Sequence, residues 1–135
     1  MSVTTTVRWV TDRHFLGVDS DDHSVVISGQ KEAIGVKPSQ MLLIALAACS
    51  SVDVVEIMEK KRKPLTMLEV SATGEQDPNP PWPYRRIHLK YRLSGDGLTE
   101  KAVSQAISLS QDKYCSVAAT VRGVAEITTE FEIVT

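Results

Sequence analysis

One stretch constrains this chain more than any other. Pro38 opens a helical run that Pro64 stops, and its first half, Met41-Leu42-Leu43-Ile44-Ala45-Leu46-Ala47-Ala48, is apolar on every face. Proline is tolerated in a first helical turn, where its missing N–H costs nothing, and breaks a helix from within. The pattern predicts a helix from Pro38 to about Arg62, with Lys60-Lys61-Arg62 setting cations at the negative end of its dipole. At about 1.5 Å per residue it is roughly 37 Å long. A domain of 135 residues is about 35–40 Å across, so the helix crosses the domain. A helix that is hydrophobic all round must be buried all round. One small sheet cannot cover it, and a second copy of the chain is the simplest cover, which predicts a homodimer with a large interface.

The flanking pattern is mixed. Val3, Thr5, Val7 and Trp9 alternate with more polar neighbours and predict a strand. Phe15-Leu16 and Ser24 to Ser28 predict two short strands around a turn at Asp19-Ser20-Asp21-Asp22, and residues 29–37 a loop. Beyond the long helix, Leu68, Val70 and Ala72 alternate with polar residues, as do Ile87, Leu89, Tyr91 and Leu93. The proline-rich segment between them, Asp77 to Pro83, is a stiff, extended loop. Thr99 caps a helix from about Glu100 to Asp112, and a shorter helix runs from about Ser116 to Arg122, ended by Gly123. A last strand turns Ile127, Phe131 and Ile133 inward and Glu126, Glu130 and Glu132 outward. The fold class is α+β, with a long buried central helix on antiparallel sheets, in a single domain over residues 1–135.

Charge excludes some functions. Fifteen basic residues stand against 17 acidic ones, so there is no global attraction to nucleic acid or to an anionic membrane. The outward row Arg85, Arg86, His88, Lys90 and Arg92 is explained by pairing with the outward glutamates of the last strand. The first residues lack a signal peptide's charged and apolar regions, and the apolar run from Met41 to Cys49 is too short to span a bilayer. A soluble, cytoplasmic protein is expected.

The two cysteines, Cys49 and Cys115, would stay reduced in that compartment, and many such thiols are inert small hydrophobes. Their settings differ. Cys49 shares a helical face with Leu42, Ala45, Leu46, Val52, Asp53 and Glu56, and Asp53 leans back toward it. An unpaired carboxylate there would raise the thiol pKa above about 8.5, so either the thiol is inert or a cation pairs with both. Cys115 lies at or just before a helix start, where free N–H groups favour the thiolate, and Lys113 adds positive potential. There is no CxxC and no Gly-rich phosphate loop, and His14, His23 and His88 lack metal-ligand spacing. No cofactor or metal is expected.

Together these contexts resemble a known family. Lys37-Pro38-Ser39-Gln40-Met41-Leu42, continuing through Ala47-Ala48-Cys49-Ser50, is similar to the Asn-Pro-Glu-Gln-Leu … Ala-Ala-Cys segment of OsmC/Ohr proteins. Lys113-Tyr114-Cys115-Ser116-Val117 resembles their second cysteine motif, which opens a short helix. Both motifs, in this order of elements, point to a less characterised branch of the family. The resemblance implies an intertwined dimer with active sites at the subunit interface. It also implies reduction of organic hydroperoxides: Cys49 becomes a sulfenic acid, Cys115 resolves it as a disulfide, and an external dithiol reduces that disulfide. This order puts Cys49 first, against the local reading that makes Cys115 the better thiolate.

Two departures matter. Ser39 stands where the family has the glutamate that holds an arginine against the thiolate, and Ser116 replaces a proline. Arg13 is the residue that matches the arginine by position. Asp53, on the face of Cys49, is then expected to take over the glutamate's role and orient a cation. The alternative function is a dimeric binding or redox-sensing protein that keeps the fold and the thiols but turns over little.

Overall fold

Alternating residues and well-placed breakers give the chain the order β1 (Thr6–Thr11), β2 (His14–Val18), β3 (Ser24–Ser28), α1 (Pro38–Lys60), β4 (Met67–Gln76), β5 (Tyr84–Ser94), α2 (Glu100–Leu109), α3 (Ser116–Val121) and β6 (Glu126–Ile133). A π-helical turn, Ser110–Tyr114, joins α2 to α3. This computed structural model describes residues 1–29 and 34–135. Part of the predicted loop 29–37, namely residues 30–33, lies outside the described residues. The described residues form two compact units, Met1–Leu42 and Leu43–Thr135, with the boundary inside α1.

The first unit is an antiparallel meander, β1-β2-β3. Its β2–β3 turn is made by Asp19, whose carboxylate accepts the N–H groups of Asp21 and His23 at 2.8 and 2.9 Å. This is the side-chain chemistry that makes aspartate a turn residue.

The second unit holds a three-stranded sheet in the order β4-β5-β6. Strand β5 is central, and its inward residues Ile87, Leu89, Tyr91 and Leu93 are buried, as the alternation predicts. They join Leu46, Val54 and Met58 of α1 and Ala102, Val103, Ala106 and Ile107 of α2 in one core. The outward row meets the last strand only in part: His88 pairs with Glu130 and Arg92 with Glu132 of β6, whereas Arg86 pairs with Glu75 and Arg92 also with Glu69 of β4, and Arg85 pairs with Asp77. One pairing corrects the expectation of wholly antiparallel sheets, because β6 runs parallel to β5. Alternation of side chains carries no strand direction, and the two helices between β5 and β6 supply the crossover that a parallel pair needs.

Helix α1 has two opposite faces. Leu46, Ser50, Val54 and Met58 form its buried stripe. Ile44 and Val52, two positions off that stripe and so about 200° round the helix, are 52% and 57% exposed in the single chain. By length and composition alone α1 could cross a membrane. Its buried stripe instead packs into the core of the second unit.

Leu89 is fully buried at the middle of the central strand. Leu89→Ala should lower the unfolding free energy by about 2–5 kcal/mol, read as a lower urea midpoint at unchanged slope. A loss below about 1 kcal/mol would mean that β5 is not the centre of the core.

Candidate functional site

Thr99 starts the element that builds the site: its hydroxyl accepts the Ala102 N–H at 3.1 Å and caps α2. Burial in α2 then recurs in pairs, Ala102-Val103 and Ala106-Ile107, and the next pair on the same stripe is polar, Ser110-Gln111. Here the helix widens into the π turn, a geometry often found at functional sites. The turn delivers Cys115 to the N-cap of α3, where its main-chain N–H donates to the Ser110 carbonyl at 2.8 Å and its sulfur accepts the Ala118 N–H at 3.3 Å.

Cys49 and Cys115 come together as free thiols and are hydrogen-bond partners. Cys49 is half-buried, beside the Ser50 stripe rather than on it, and Cys115 is 2% exposed. Burial pushes the Cys115 thiol up to about 11. The Ala118 N–H pulls the other way, while the hydrogen bond to Cys49 and the negative charges of Cys49 and Asp53 add to the rise. The cap position expected from sequence is therefore found, with the opposite effect on the thiol. A six-residue helix offers a weak dipole, and removing a thiolate from water outweighs it. Lys113 does not offset this, because its ammonium lies over the Tyr114 ring, 5.4 Å from the centroid.

Behind the thiols lies a polar chain that sequence reasoning did not find. Ser50 Oγ is 2.6 Å from the Tyr91 hydroxyl and 2.8 Å from Ser110 Oγ, and Ser110 donates to Asp53 Oδ2 at 2.9 Å. Gln111 Nε2 donates to both Ser50 and Tyr91 at 3.3 and 3.2 Å, and Arg122 donates to the Gln111 carbonyl. Gln111 Oε1 is buried without a partner among the described residues. The signal was present in the sequence as polar residues at core spacing: Ser50 on the Leu46–Met58 stripe, and Ser110-Gln111 on the stripe of α2. Burial, foremost, raises the Tyr91 hydroxyl pKa.

The other predicted residues are placed as follows. Among the described residues Asp53 is held by a hydroxyl, that of Ser110, and not by a cation. Leu42 and Val52, expected on the buried face of Cys49, are exposed. Arg13 lies at the β1–β2 turn, exposed, with Nη1 donating to the Asp12 carbonyl at 3.2 Å. Ser39 is exposed in the first turn of α1. Both belong to the first unit, whereas the thiol cluster is built from the second.

The family model described as OsmC-like protein matches residues 29–130. Protein YhfA of Escherichia coli K12 is 34% identical over 128 residues, spanning 95% of this chain and 96% of that one. The crystal structure of an OsmC-like protein from Mycoplasma pneumoniae is similar with a TM-score of 0.86 at 21% identity, over 100% of this chain and 99% of its own. The organic hydroperoxide resistance protein OhrB of Bacillus subtilis is similar with a TM-score of 0.65 at 14% identity, over 98% of each chain. At these identities the likeness to the two structures is one of fold.

The raised thiol sets a pH test of this geometry. Cys115 keeps its proton in the folded chain above the ordinary thiol value of 9.0, up to about 11, so across that window the folded state binds more protons than the unfolded one. Its contribution is complete below pH 9 and is lost as pH rises through 11. Urea stability should therefore fall over this range, less steeply in Cys115→Ser, with Tyr91 keeping part of the slope above its ordinary value of 10.0. Coincident slopes in the two proteins would remove the buried thiol as the cause.

Proposed function

This chain belongs to the OsmC-like protein family, and from that premise we infer that it is a cytoplasmic thiol peroxidase that reduces organic hydroperoxides. The observation that carries the reading is the meeting of two free thiols of unequal access, Cys49 half-buried and Cys115 buried. The Cys49 thiolate attacks the peroxide oxygen, releases the alcohol and becomes a sulfenic acid. Cys115 then forms the disulfide with loss of water, and an external dithiol restores both thiols. The burial of Cys115 and its raised pKa support this order, since the resolving thiol need not meet the peroxide.

The chain works in this reading as a homodimer. Its support is the exposed apolar stripe of α1, at Ile44 and Val52, opposite a face that is already packed. A second subunit covering that stripe would also line the entrance to Cys49 with apolar groups, which favours organic peroxides over hydrogen peroxide. Arg13 is the candidate for the cation that meets the Cys49 thiolate, and Ser39 fills the place of the family glutamate without its charge.

Titration of the reduced protein with cumene hydroperoxide, with and without a dithiol, tests the reading. Wild type should lose both thiols at equimolar peroxide as an intramolecular Cys49–Cys115 disulfide and should cycle when the dithiol is present. Cys49→Ser should abolish the fast reaction, and Cys115→Ser should stop at a trappable sulfenic acid. Thiols that stay reduced at equimolar peroxide would sink the peroxidase and leave a binding or redox-sensing protein.

A further inference from the structure

Two thiols suffice to write the peroxidase cycle, yet the polar chain beside them has a property the cycle does not use: its proton order has one solution. A carboxylate offers only lone pairs, so the contact between Ser110 and Asp53 is a donation by Ser110. Ser110 has one hydroxyl proton, and it is spent on Asp53. The 2.8 Å contact with Ser50 is therefore donated by Ser50. By the same count the 2.6 Å contact between Ser50 and Tyr91 is donated by Tyr91. The amide of Gln111 donates to both Ser50 and Tyr91, which fixes the two oxygens without altering the order. Three hydroxyls thus point one way, from Tyr91 through Ser50 and Ser110 to the Asp53 carboxylate.

The far end of this chain is tied to the thiols. Ser110 holds Asp53 with its side chain and accepts the Cys115 main-chain N–H with its carbonyl, so one residue sets both groups. Asp53 also stands one helical turn after Cys49 on α1, on the same face. A carboxylate beside a thiol pair is a poor neighbour for a thiolate but a good acceptor for a thiol's proton. We propose that Asp53 is the base of the disulfide-forming step, taking the Cys115 proton, and that Ser110 is the residue that positions it. This rests on the assignment of Cys115 as the resolving thiol.

The step balances. As Cys115 sulfur bonds to Cys49 sulfur, the S–O bond of the sulfenic acid breaks and its electron pair leaves with the oxygen. The Cys115 proton passes to Asp53 and from there to the departing hydroxide, giving water. The two sulfurs end as a disulfide, and Asp53 ends as the carboxylate it began as. Such help is needed because the Cys115 thiol, at about 11, is protonated at neutral pH. Among the described residues the titratable groups around Cys115 and Asp53 are Cys49 from α1 and Tyr91 from β5; α3 contributes the Ala118 N–H, and Arg122 is bound to the Gln111 carbonyl.

The test uses no peroxide, so it does not stand or fall with the peroxidase. The full-length reduced protein is mixed with 2,2′-dipyridyl disulfide, and the release of pyridine-2-thione is followed by stopped flow. The second release reports closure of the protein disulfide on the mixed disulfide. In wild type its rate should be flat across neutral pH, because the proton is taken within the protein and not by ionisation of the thiol in water. Asp53→Asn should slow closure by about 100-fold at pH 7 and make it climb about tenfold per pH unit, following the thiolate fraction. Ser110→Ala, which keeps the carboxylate but frees it, should slow closure by about tenfold; it carries the test if Asp53→Asn does not fold. An unchanged closure rate in the variants overturns the proposal. In Asp53→Asn, a slower rate with the flat profile retained overturns it too, since that marks a structural role alone.

Discussion

A hydroxyl with no exposure to water, that of Ser50 in the middle of the longest helix, must find its hydrogen bonds inside the core, and the second unit is arranged around that need. Left unpaired, such a group costs about 1–3 kcal/mol. Its partners come from two other elements: Tyr91 from the central strand, and Ser110 with Gln111 from the turn after α2. Apolar packing brings helix and sheet together without fixing their register. Directional bonds from one oxygen to three side chains do fix it, and a helix slide of even one residue would break them all.

The same tie sets the chemistry. Ser110 can reach Ser50 only if α2 ends where it does, and the π turn that follows places Cys115 at the next helix start. The thiol is thereby buried against Cys49, while Asp53 is drawn to the same side by the Ser110 hydroxyl. The helix start alone would have favoured a thiolate at Cys115. Desolvation has the larger effect, and it holds the buried cysteine as a thiol.

Much of the fold was legible because exposed and half-buried elements obey their own period. Period-two alternation gave the inward residues of β5 and its outward charges, and the glutamates that pair with Arg86 and Arg92 stand at matching register in β4 and β6. The Thr99 cap and the Asp19 turn were legible because each is satisfied by atoms a few residues away. The parallel course of β6 was not, since direction leaves no trace in alternation. Nor was the buried stripe of α1, because a run that is apolar on all faces does not say which face its own sheet will take.

The sequence by itself therefore determined the elements, their order, the two cysteine contexts and the family to which they belong. These depend on local spacing, on caps and breakers, and on motifs a few residues long. Only the tertiary structure decided that Ser50, Tyr91, Ser110 and Asp53 form one chain behind the thiols, that Asp53 meets a hydroxyl, and that Cys115 is held as a thiol. Those outcomes depend on contacts between residues 41 to 60 positions apart, Ser50 with Tyr91 and with Ser110 among them, and on how much water each group loses. Neither quantity is written in any one segment of the chain.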